Sequence, residues 1–120
     1  MNTFYKFLIA FFLIPLIDAP WLYIMSSLNT EMYEKIQGLP VRMSPLPAIV
    51  VYVALAWLLI QQTSVSGSFI NGAAIYAVYD FTNLTIFKNF KPSMAIADTI
   101  WGGCLFAISY FVLNSVSKIF

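Results

Sequence analysis

The sequence predicts an all-α integral membrane protein, a four-helix bundle with short links, and three observations lead there. Of 120 residues, 61% are apolar and 9% charged, where soluble domains hold about 45–50% and about 25%. The apolar residues gather into four windows, each close to the roughly 20 residues that about 30 Å of hydrocarbon requires. Within each window the hydrophobicity is continuous rather than alternating, which excludes the strands of a closed barrel and leaves helices to satisfy the backbone in lipid. A chain of this length forms a single domain, residues 1–120, and is too short to hide so much apolar surface in a soluble core.

The first window covers residues 7–26 (FLIAFFLIPLIDAPWLYIMS). Lys6 and Ala19 give it the outline of a secretory signal, but Pro20 would follow the cut, and Asp18 and Trp21 continue the segment without a cleavage neck. A retained helix is expected, kinked at Pro15 and Pro20. Residues 29–44 hold Glu31 and Glu34 and are expected to form a short interfacial helix ended by Gly38 and Pro40. The second window is 45–62, followed by an uncharged link at 63–67. The third is 68–87, followed by a link carrying Lys88 and Lys91 in which Pro92 opens the next helix. The fourth window is 94–114. Lys6 and Lys118 fall on one side of this arrangement, Lys35, Arg42, Lys88 and Lys91 on the other. That excess places both termini away from the cytoplasm.

Absences narrow the chemistry. There is no histidine, and Cys104 is the only cysteine. Ser-His-Asp and Cys-His catalysis, histidine-ligated metals and an intrachain disulfide are thereby removed. The basic residues stand singly, with none of the stripe that nucleic acid requires. No catalytic constellation is recognisable, so neither an enzyme nor a cofactor is expected.

The polar residues inside the windows need an account, because an acid near the bilayer centre costs about 2.5–3.5 kcal/mol. Asp18, Asp80 and Asp98 lie in the first, third and fourth windows. Counting from the window ends at about 1.5 Å per residue puts them about 12, 10 and 6 Å beneath one surface, that of the third link. They are expected to converge in one leaflet. Tyr76, Asp80 and Asn83 share a helical face, with Tyr79 and Thr82 beside it. Asp18-Ala19-Pro20-Trp21 and Asp98-Thr99-Ile100-Trp101 each set a tryptophan one turn after an aspartate, an outline of the internal repeats found in transporters. No Lys or Arg lies centrally in any window. The acids are therefore expected to hold a proton, share one, or bind a hard cation such as sodium, calcium or magnesium through Asp, Asn83, Thr82 and backbone oxygens.

Two readings stay open from these residues. In one the chain is a small proton- or cation-linked transporter or channel, working as an oligomer because four helices enclose little space. In the other it is a structural or assembly component of a membrane or larger membrane complex, whose polar cluster only fixes helix packing. The expected partners are the bilayer, further copies or other membrane subunits, and a proton or hard cation. Gly72-Ala73-Ala74 and Gly102-Gly103 with Ala107 read as surfaces for close helix approach.

The string Tyr79-Asp80-Phe81-Thr82-Asn83-Leu84-Thr85, then Asp98-Thr99-Ile100-Trp101-Gly102, with Asp18 through Trp21-Leu22 near the start, resembles the domain-of-unknown-function family two-one-seven-seven. These are small predicted membrane proteins of bacteria, large DNA viruses and algae. Order and spacing agree over nearly the whole chain, and Lys88-Asn89-Phe90-Lys91-Pro92 stands where the bacterial pattern has tryptophan-proline. The resemblance implies a four-helix membrane protein and no particular reaction. A viral or algal source would imply a component of a virion membrane or an organelle complex.

Overall fold

Local signals set the helix ends. The Asn2 side chain accepts the Tyr5 N–H at 2.9 Å, a capping bond that satisfies one of the free donors of a first turn. From there α1 runs over Thr3–Gln37 and stops at Gly38, whose φ of 72° suits a residue without a side chain. Prolines at the first helical turn open α2, Pro45–Ile60, and α4, Pro92–Ile119. Between them α3 covers Val65–Ile86, and the Ser64 hydroxyl caps it by accepting the Gly67 N–H at 3.0 Å. The computed structural model describes residues 1–120, and the four helices and their links account for all of them.

One sequence expectation is corrected here. The separate interfacial helix expected within residues 29–44 does not exist, because α1 continues through that region as far as Gln37. Pro15 and Pro20 lie inside it without ending it. Residues 27–37 contain neither glycine nor proline, so nothing local breaks the helix. Met32 buries against Phe90, Met94 and Ala95, and that contact holds the extension in line. At 35 residues, α1 is about 52 Å long, well beyond about 30 Å of hydrocarbon.

The centre of the bundle is α4, which packs on α3 and α1 and touches α2. A main core joins Ala10 and Ile14 of α1, Ala56 and Leu59 of α2, and Leu105 and Phe106 of α4. Between α3 and α4 the backbones approach closely: Gly72 faces Gly102 and Phe106, Gly102 lies under the Tyr76 ring, and Gly103 lies under Phe69. Outward positions are apolar, with Leu16 on α1 and Val78 on α3 each 71% exposed. Only 19 of 120 residues are buried, so most apolar side chains are left at least partly exposed, where water would make a patch of that size an aggregation surface. Two helices, α1 and α4, are long and apolar enough to cross a membrane, and most of each apolar stretch is unburied, unlike the core helix of a soluble domain.

Candidate functional site

Each aspartate comes from a different helix, and α4 brings them together. Asp18 of α1 is 4% exposed and Asp80 of α3 is 1% exposed, while Asp98 of α4 is half-buried. Asp18 is bonded at both oxygens: Oδ1 accepts the Trp101 indole N–H at 2.7 Å, and Oδ2 accepts the Tyr52 hydroxyl at 2.9 Å. Asp98 Oδ1 accepts the Trp21 indole N–H at 3.3 Å. The two indoles stack with centroids 5.3 Å apart and planes 10° from parallel.

The spacing of three explains this exchange. In antiparallel neighbours, a step of one turn forward along α1 meets a step of one turn back along α4. Asp18 therefore lies opposite Trp101 when Trp21 lies opposite Asp98. Each copy of the aspartate-x-x-tryptophan pattern supplies the donor that the other copy's acid needs, and the stacked rings close the space between the two bonds.

Asp80 is bonded differently. Its carboxyl lies against that of Asp98, and its Oδ2 is buried with no hydrogen-bond partner. Two carboxylates can only accept, so a hydrogen bond joins this pair only when one of them carries a proton. Without that proton, two like charges share a site in which Asp80 is buried and Asp98 half-buried.

The other residues marked by sequence divide into two groups. Trp21 and Trp101 join the acids directly, and Tyr76 packs over Gly102 within electrostatic reach of Asp18, Asp80 and Asp98. Tyr79 pairs with Tyr33, their hydroxyl oxygens 2.6 Å apart. Asn83 is half-buried and Thr82 exposed, and neither side chain hydrogen bonds to an aspartate. No three acidic side chains are grouped closely enough to hold a metal ion by themselves.

Two contributors were not found by sequence reasoning. Tyr52 is the second donor to Asp18, and Tyr33 helps roof the site. Tyr33 also meets Phe90 edge-on at 6.1 Å, and the Lys91 N–H points at the Met32 sulfur at 3.3 Å. The end of α1 is thereby fixed over the α3–α4 link, above the acids. A signal for Tyr52 was present: it lies seven residues into α2 from the same surface, at the depth of Asp18, in an otherwise apolar helix.

Neither a curated protein nor a solved structure matches the chain. A family model does match, over residues 3–113, a stretch holding Asp18, Asp80, Asp98, both stacked tryptophans and Tyr52. On that match the chain belongs to the family described as predicted membrane protein (DUF2177).

Proposed function

We propose that the chain is a multi-pass membrane protein whose four helices all cross the bilayer and whose Asp80–Asp98 pair takes up and releases a proton, as part of a small proton-linked transporter or channel. The observation that carries this is the buried, unpartnered Oδ2 of Asp80 beside a second carboxyl. A proton on either acid converts two repelling groups into a hydrogen-bonded pair; its departure restores the repulsion in a medium of low dielectric, where it is strong. Asp98 also accepts from Trp21 through the longest of the three carboxyl bonds, so a change at the α3–α4 pair is transmitted to α1. The Tyr33–Tyr79 hydroxyl pair stands above on the same side and supports a path toward the surface.

The four-span reading is supported by length and by the direction of the chain. At 22 residues, α3 is about 33 Å long and turns Ile70, Val78 and Phe81 outward. At 16 residues, α2 reaches about 24 Å, with Leu46, Val50 and Trp57 outward and Gln61 and Gln62 following at the interface. Short links leave both helices lying alongside α1 and α4 rather than apart from them. Because four helices enclose little space, conduction would fall to an oligomer or to a complex with other membrane subunits.

The test is proton flux in proteoliposomes with a pH-sensitive dye inside. Asp80→Asn is expected to lower the flux at least tenfold while leaving the melting temperature in detergent within a few degrees. Unchanged flux in that variant would rule out Asp80 as a carrier. A second reading, a structural or assembly component, is favoured by Asp18, whose two oxygens are both occupied by side-chain donors and which is suited to fixing positions. On that reading the native protein moves no protons, and Asp80→Asn changes only stability or assembly.

A further inference from the structure

We propose a second site, independent of the proton reading: the cleft between α1, α2 and α4 at the end of the bundle away from the acids binds the headgroup of an anionic phospholipid. The cleft holds about 310 Å³, and its rim carries Lys6, Gln62, Thr63, Tyr110, Asn114 and Ser117 over an apolar floor of Leu59 and Leu113.

Three observations identify the ligand class. Lys6 is half-buried and has no carboxylate partner; the one ion pair in the protein joins Lys35 to Glu31. All five acidic side chains lie in the half of the bundle that holds Asp18 or beyond it, so the cleft has a cation and no anion. Thr63, Tyr110 and Asn114 make no side-chain hydrogen bond within the protein, leaving their donors available. A cation ringed by donors suits a phosphate. It does not suit the ammonium of a zwitterionic lipid, which would find Lys6 and no acid. The apolar floor, and Phe4 and Phe111 exposed at 64% and 63% on the adjoining helices, give acyl chains a surface that a free phosphate would not use.

The test uses the full chain purified in detergent, titrated with phosphatidylglycerol, phosphatidylcholine or inorganic phosphate, with retained lipid read by native mass spectrometry and stability by thermal melting. Phosphatidylglycerol is expected to be retained in preference to phosphatidylcholine and to raise the melting temperature. Lys6→Gln is expected to lower phosphatidylglycerol retention about fivefold. Asn114→Ala, which removes a free donor of the rim, is expected to lower it as well, with phosphatidylcholine unaffected. Lys118→Gln, which removes a charge at the same end but outside the cleft, is expected to leave retention within about twofold. Equal retention of the two lipids by the native chain overturns the proposal. So does an equal loss in Lys118→Gln, which would make the attraction diffuse, and so does an equal melting shift from phosphate alone, which would make the ligand a free anion.

Discussion

The face of α4 turned to α3 carries Gly102 and Gly103 against Tyr76 and Phe69, whereas the face turned to α1 carries Asp98 and Trp101 against Trp21 and Asp18. On the first seam the backbones nearly touch, and no side-chain hydrogen bond crosses unless a proton joins Asp80 to Asp98. On the second, two indoles hold the helices apart, and directional bonds run both ways. Lipid offers helices no hydrophobic reason to associate, which leaves close packing and interhelical hydrogen bonds. Each seam uses one of them. Packing of small residues fixes how near α3 and α4 lie, and the reciprocal bonds fix the register of α1, because sliding by one turn breaks both.

The largest effect is expected where packing alone acts. A Cβ on Gly72 meets the Gly102 carbonyl oxygen, and Phe106 Cβ at 2.6 Å, and neither neighbour is the free end of a flexible chain. Gly72→Ala is expected to cost about 3 kcal/mol through overpacking, read as loss of stability in detergent unfolding. A cost under about 1 kcal/mol would show that the α3–α4 seam has slack and that the contrast between the seams is overstated.

The second seam predicts an inequality between like substitutions. Trp101→Phe and Trp21→Phe each keep an aromatic ring in the stack and remove one donor. Trp101 gives the shorter bond, 2.7 Å to a buried acid, and Trp21 the longer, 3.3 Å to a half-buried one. Measured interhelical bonds in membranes average about 0.6 kcal/mol and reach about 1.7. Trp101→Phe is expected near the top of that range and Trp21→Phe near its average. A double-mutant cycle with Asp18→Leu, which leaves no acceptor, isolates the shorter bond. Equal costs would mean that stacking, not hydrogen bonding, holds α1 in register.

Much of this arrangement is written locally and some of it is not. Windows of apolar residues mark four helices, Gly38 and Pro92 mark two of their ends, and depth counting places Asp18, Asp80 and Asp98 beneath one surface. The continuation of α1 to Gln37 is invisible to a rule about span length, because a tertiary contact, Met32 on Phe90 and Met94, sustains it. The aspartate-x-x-tryptophan repeat is visible, but its exchange of donors appears only once α1 and α4 are antiparallel neighbours. A shared helical face grouped Asn83 with Asp80 and set Thr82 beside it, yet a face spans a wide arc, and neither side chain bonds to an acid. Tyr52 escaped because α2 otherwise reads as a uniform apolar run.

The smallest effect is expected at an acid bonded in water instead of inside the bundle, on the part of α1 beyond residues 7–26. Glu31 accepts from Lys35 at 3.2 Å one turn away, both side chains more than half exposed. The Lys35 hydrogen bond, then its charge, holds the Glu31 carboxyl below the ordinary glutamate value of 4.5. A carboxyl lowered on folding favours the folded state above its unfolded pKa, and that contribution disappears as pH falls through the lower folded value. The stabilisation is thus full at neutral pH and lost only below about 4.5. Exposed pairs of this kind contribute little and are screened by salt. Melting temperature compared between native chain and Glu31→Gln is expected to differ slightly at pH 7 and low salt, and to coincide at high salt or in strong acid. The same pair of measurements on Trp101→Phe is expected to show a difference that salt does not erase, because the Asp18 bond lies where counterions do not reach. A salt-insensitive Glu31 difference, or a salt-sensitive Trp101 one, would break the distinction between bonds made in water and bonds made in the bundle.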